Sequence, residues 1–179
     1  DAASTGLVIV AAGYLLWSLA QSRSVSTRPV SQPVSGLTIP AEKIRHIRGT
    51  GATALVEFTD YECPFCGAYA RETAPLIHEN FVKRGLISEV VLSFPLEEIH
   101  RHARRASVAV ECAHRQGKFW DLHDGLFRSS GPLTDASIVA AGVDAGLEAS
   151  EFSRCLVEGR SSEVDSDLNE GRRLGVTGT

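Results

Sequence analysis

The sequence predicts an α/β fold: a small sheet frame interrupted by a block of helices, with two cysteines where the first central strand meets the first helix. Three observations predict it. A short apolar run at residues 54–58 ends in a turn, and Cys63-Pro64-Phe65-Cys66 then opens a helical pattern. A second β-rich run, SEVVLSFPL at residues 88–96, follows that helix. After it come four or five helical segments with no strand between them.

The chain of 179 residues suits one domain of ordinary size plus an accessory segment. It starts at Asp1 and contains no methionine, so the natural start is expected upstream. Residues 2–20 (AASTGLVIVAAGYLLWSLA) carry no charge. As a helix they would rise about 28 Å, near the ~30 Å apolar core of a bilayer. Tyr14 and Trp17 sit toward the end where an aromatic belt would lie. The stretch is read as a transmembrane anchor. A signal peptide with Ser18-Leu19-Ala20 as its cleavage-like site, or the last span of a larger membrane protein, are the alternatives. Residues 21–42, rich in Ser, Pro and Val, read as an extended linker. Residues 41–51 are an approach segment, a short helix or edge strand, ending in Gly49-Thr50-Gly51.

Residues 54–58 form a strand and residues 63–85 a helix, with Phe65, Tyr69, Leu76, Ile77 and Phe81 on an apolar face. Pro75 predicts a kink and Gly85 a stop. Residues 97–127 read as helical, broken at Gln116-Gly117-Lys118. Further helices are expected after Thr134, over 148–157 and over 162–174. His100, His102, His114 and His123 show no ligand spacing and read as surface or capping residues.

The chemistry resides in the cysteine pair. At a helix N-terminus, unpaired amides and the positive end of the helix dipole favour an anion. A cysteine there is acidified, and the thiolate is the reactive form. Cys63 occupies that place, with Cys66 one turn further in, and Pro64 fits the first turn because it has no amide proton to lose. Zinc binding would need a second cysteine pair, but Cys112 and Cys155 stand far apart, so no metal and no cofactor is expected. A net charge of −4 without a basic aromatic cluster gives no ground for nucleic-acid binding. Glu57, on the strand feeding the pair, is either an acid beneath the cysteines or a solvent-facing residue of an alternating strand.

Residues 56–66 (VEFTDYECPFC), Phe94-Pro95-Leu96, Gln116-Gly117-Lys118-Phe119-Trp120 with His123-Asp124 and Leu126-Phe127, and finally residues 174–179 (LGVTGT) carry a resemblance. Over about residues 44–179 the chain resembles the DsbA-like branch of the thioredoxin superfamily. The resemblance implies a thioredoxin-like fold with an inserted α-helical domain: a first part over 43–99, the insertion over 100–172, and the start of a second part over 173–179. It implies a cis-proline, a hairpin and a final helix after Thr179, with Thr179 in the substrate groove, so the chain as it stands is expected to be less stable and less active than its parent.

The resemblance also implies thiol:disulfide exchange: Cys63 as nucleophile and leaving group, Cys66 as resolving thiol, Glu57 as proton carrier, and Pro64 and Phe65 as tuning residues. Its substrates would be exported proteins with free thiols, and a membrane redox partner would reoxidise it on the extracytoplasmic side of the cell membrane. In that compartment Cys112 and Cys155 are expected to form a structural disulfide rather than remain buried thiols. A reductase or isomerase on the same fold, and a non-catalytic membrane-tethered peptide-binding domain, are the rival readings.

Overall fold

The structure, a computed structural model, describes residues 38–129, 131–159 and 161–179. The expected transmembrane helix and most of the linker lie outside the described residues. Among the described residues no helix is long and apolar enough to cross a membrane.

The approach segment, expected to be a short helix or an edge strand, contains one of each. A 3-10 turn at Ala41–Lys43 precedes a short strand β1, His46–Gly49. The chain then turns through Gly49 at φ 94° and Gly51, whose absent Cβ would lie 2.4 Å from the Ile87 backbone. Strand β2 is Thr53–Thr59 and strand β3 is Ile87–Ser93. The sheet order is β1-β3-β2. β2 runs parallel to β3 with Glu57 opposite Val91, and β1 runs antiparallel with His46 opposite Val91. β3 is central and covered on both faces, so its run Val90-Val91-Leu92 is unbroken and fully buried. It ends at Ser93, short of the expected 96; Phe94 still donates its amide to Thr59 O at 2.7 Å.

The helix after the cysteines, α1, spans residues 64–82 and changes character twice. Pro64–Ala68 is α, Tyr69–Thr73 is π, Ala74–Ile77 is α and His78–Val82 is π. Pro75 has no N–H for the preceding turn, and a wider turn accommodates that without breaking the helix. The π turns also overturn the expected apolar face. Spacing that assumes 3.6 residues per turn drifts across a π segment, and Phe65, Leu76 and Phe81 are exposed. The buried face instead carries Cys66, Gly67 and Val82.

The helical block follows as α2 (Ala103–Arg115), α3 (Phe119–Arg128), α4 (Asp135–Asp144), α5 (Ala149–Glu158) and α6 (Ser162–Arg173). Gly117 at φ 70° makes the α2–α3 break. Thr134 caps α4 in a capping box with Ser137, Glu148 caps α5 and Ser161 caps α6. Cys112 on α2 and Cys155 on α5 are joined in a disulfide with Cα atoms 5.9 Å apart. Gly142 admits the ring of Phe152, which a Cβ would meet at 2.3 Å. Gly171 of α6 lets Phe94 and Phe58 close on it in the same way. A buried ionic knot fastens the block to the sheet. Arg45 bonds Glu111 at 3.1 Å and Asp167 at 2.9 Å, His46 bonds Glu111 at 2.9 Å, and Asp167 accepts the Ser93 amide at 3.0 Å.

Candidate active site

Cys63 is the N-cap of α1, with extended backbone at φ −70° and ψ 124°, and Pro64 takes the first helical position. The Cys63 amide donates to Asp60 O at 3.2 Å, and its carbonyl accepts from Gly67 at 3.0 Å. Burial alone would raise its thiol, but the Thr179 side chain and the backbone amides of Cys66 and Phe65 outweigh burial, leaving it below the ordinary thiol range. Burial pushes the Cys66 thiol the other way, with Cys63 beside it adding to the rise and the Asp60 amide opposing. Both cysteines are free and buried. Phe65 between them is 76% exposed and offers no charge to either sulfur. The Cys63 thiol lies 3.3 Å from Thr179 O, which brings the last described residue onto the pair.

The two sulfurs open onto different clefts. Cys63 lines a cleft of about 490 Å³ with Tyr61, Pro64, Leu126, Phe127 and Leu133. Cys66 lines one of about 330 Å³ with Glu57, Phe58, Phe65, Tyr69 and Thr179. Glu57 also lines a third cavity, of about 420 Å³, with Arg48, His78, His123 and Asp124. Burial pushes the Glu57 carboxyl up to about 7; the Thr59 hydroxyl and Arg48 oppose the rise, and Glu89 and Asp124 add to it. Glu57 is therefore placed on the Cys66 side of the pair. Arg48 beside it is fixed by Glu89 at 2.7 Å and by stacking over Trp120 at 4.0 Å.

Several residues that hold the site carry no signal in spacing alone. Asp60 is fully buried, and its carboxylate accepts from the Glu62 amide, the Leu96 amide and the His100 ring, each at 2.8 Å. Glu62 accepts from the His102 amide at 2.6 Å. Two carboxylates thus fasten the active-site turn to the 94–102 loop. His123, expected at the surface or at a cap, is instead buried on α3 with Nδ1 2.9 Å from the Tyr61 hydroxyl. Burial, with Arg48 and His46 nearby, lowers it to about 3, so it is neutral. An aspartate three residues before a helix-opening cysteine, followed by an amide two residues on, was the one legible hint of the Asp60 tether. Among the described residues no cluster of His, Cys, Asp or Glu could hold a metal ion.

A dithiol that opens the helix following a parallel strand, in an α/β frame carrying a helical block, defines a class of redox-active folds. The sequence model of the family described as Thioredoxin matches residues 46–179. The chain belongs to the thioredoxin family. It is similar to BdbD from Bacillus subtilis, whose oxidised crystal structure superposes with a TM-score of 0.67 at 20% identity, covering 78% of this chain and 80% of that one. A curated B. subtilis relative named Disulfide bond formation protein D is 30% identical over 138 residues, 70% of this chain and 60% of that protein. A Salinispora tropica protein named Na(+)/H(+) antiporter NhaA 3 is 27% identical over 193 aligned residues, which take in 100% of this chain and 29% of that protein. The chain thus spans under a third of the length of that relative.

Proposed function

We propose that the chain is a thiol:disulfide oxidoreductase acting through Cys63 and Cys66, and that it works as an oxidase on exported proteins with free thiols. The observation that carries this is the placement of the pair: Cys63 is the N-cap of α1 and lines one cleft, while Cys66 lies a turn further in and lines another, an arrangement that holds the Cys63 thiol low and the Cys66 thiol high. A substrate thiolate attacks Cys63 of the disulfide form, and the S–S bond to Cys66 breaks. A second substrate thiolate then displaces Cys63, which departs as a stabilised thiolate. A low-pKa leaving thiol favours the reduced form of the protein and makes the couple oxidising. Pro64 and Phe65 tune the pair by deciding what faces the sulfurs. Glu57, on the Cys66 side, carries the proton. The name of the B. subtilis relative, Disulfide bond formation protein D, agrees with this direction. Reoxidation falls to a membrane redox partner.

The same reading places the domain on the extracytoplasmic side of the cell membrane. The antiporter-named relative, which takes in the whole chain within a much longer protein, favours residues 2–20 as the last span of a larger membrane protein, with residues 21–42 as its tether. The experiment is a redox titration with a stoichiometric assay on a reduced model protein. A potential toward −120 mV supports the oxidase, and one near −270 mV would assign a reductase instead. No oxidation of the model protein at all would leave a peptide-binding domain.

A further inference from the structure

Two of the side chains that line the cleft of about 490 Å³ at Cys63 are arginines, Arg71 of α1 and Arg128 at the end of α3. A side chain on a helix leans back toward the N-terminus. Arg71 does so: its guanidinium lies over Gly67, one turn earlier, where a Cβ would meet Nη1 at 2.9 Å. The Gly67 amide in turn bonds the Cys63 carbonyl at 3.0 Å. The bare first turn of α1 therefore leaves the guanidinium four residues of helical rise, roughly 6 Å along the axis, from the level of Cys63.

The charge at that place is uncommitted. Arg71 uses one N–H on the Phe127 carbonyl at 3.2 Å, in the last turn of α3, and a guanidinium has about five to give. Both arginines are exposed, and no carboxylate among the described residues pairs with either. The acids nearby are engaged elsewhere. Glu62, in the same cleft, accepts the His102 amide at 2.6 Å. Asp124, which lines the adjoining cavity with both arginines, bonds Arg48 at 3.4 Å. Leu126 and Leu133 supply apolar wall. The cleft thus offers a peptide segment an apolar surface and two cations whose fork geometry matches a carboxylate.

We propose that Arg71 and Arg128 make the Cys63 cleft selective for substrate segments that carry a carboxylate beside the reacting cysteine. The proposal rests on the thiol-exchange reading above and names its substrate class, polypeptides with Asp or Glu close to the attacking thiol. An extended segment rises about 3.3 Å per residue, so an offset of roughly 6 Å puts that acid about two residues from the cysteine. Opposite charge there speeds encounter and holds the segment in register, whereas a lysine meets two like charges.

The test uses the full chain in its disulfide form and reduced dithiol peptides that differ only in Glu, Gln or Lys two residues from one cysteine. One set carries the substitution before the cysteine and a second set after it. Oxidation is followed by stopped flow, and each rate is divided by that peptide's rate with an uncharged small disulfide, which removes intrinsic thiol reactivity. In one of the sets Glu is expected to exceed Lys about tenfold at about 0.01 M salt, with Gln between, and the preference to shrink to about twofold at about 1 M. Arg71→Gln and Arg128→Gln should each cut the ratio about threefold, and Arg71→Glu/Arg128→Glu should invert it. The ratio is taken within each protein, so a general loss of rate cancels. Equal rates for Glu and Lys in both sets, a preference that salt does not weaken, or one that survives charge reversal would overturn the selectivity. The first two readings need only the wild-type chain. A chain that oxidises none of the peptides overturns the thiol-exchange reading and the selectivity with it, whereas one that oxidises all of them alike overturns the selectivity alone.

Discussion

Replacing Glu57 by Gln keeps the shape of the side chain and removes its charge. An acid moved from an ordinary 4.5 to about 7 binds its proton more tightly in the folded protein than in the unfolded chain. That contribution to stability is fully present below pH 4.5 and is lost as the pH rises through 7. Over that window the folded chain loses up to roughly 3 kcal/mol, because ionising the acid in its pocket is that much harder than in water. Glutamine does not ionise and escapes the loss. Urea denaturation of both proteins at pH 4, 5.5, 7 and 8.5 should therefore give a difference near zero at the acid end. The difference should grow to roughly 3 kcal/mol in favour of Glu57→Gln above pH 7.5. The same variant should exchange thiols more slowly despite its greater stability, since it has no proton to give. A stability difference that is flat across pH would refute the raised affinity, and with it the case for Glu57 as proton carrier.

Three further outcomes follow from the same geometry. Incubated with a disulfide-bonded substrate, Cys66→Ser should accumulate a mixed disulfide, as the Cys63 thiolate attacks the substrate S–S bond and releases one substrate thiolate; this is visible by non-reducing mass spectrometry, while Cys63→Ser should give none. Replacing Cys112 and Cys155 together by Ala opens a link between residues 43 apart in sequence; the loop-closure entropy is worth about 4 kcal/mol in the chain-entropy model, so the denaturation midpoint should fall sharply. His123, lowered from 6.5 to about 3 by burial, contributes stability that is present above pH 6.5 and lost as the pH falls toward 3, at most roughly 5 kcal/mol. His123→Gln should flatten that acid limb whatever its effect at neutral pH.

The elements that a single local rule dictates were legible in the sequence. The strand before Cys63, the break at Gln116-Gly117-Lys118 and the cap at Thr134 each depend on neighbours in the chain, and the structure has them. The face of α1 was not legible, because helical spacing assumes a constant turn and Pro75 is followed and preceded by π segments. The supports of the site were not legible either. Asp60 meets His100 and Leu96 across 40 and 36 residues, and Tyr61 meets His123 across 62. Contacts at that range are made by the fold and leave no period in the sequence. Thr59 fell outside the expected strand 54–58, yet β2 runs on to include it and buries it fully.

The placement of the clefts explains why the two cysteines need different surroundings. A substrate must reach Cys63, and the cleft beside it is bounded by Leu126, Phe127 and Leu133 from the helical block. On the proposed mechanism a proton must reach Cys66, and the cavity beside it is lined by Glu57, Phe58, Phe65, Tyr69 and Thr179. If both sulfurs faced one cleft, an arriving polypeptide would displace the carboxyl proposed to supply that proton. Separating them lets the carboxyl stay in a pocket that raises its proton affinity while Cys63 stays on amides that lower its own. The turn from Asp60 to Cys63 has to hold both arrangements at once. Asp60 holds the start of that turn: it is fully buried, and its three hydrogen bonds offset the cost of burying a carboxylate.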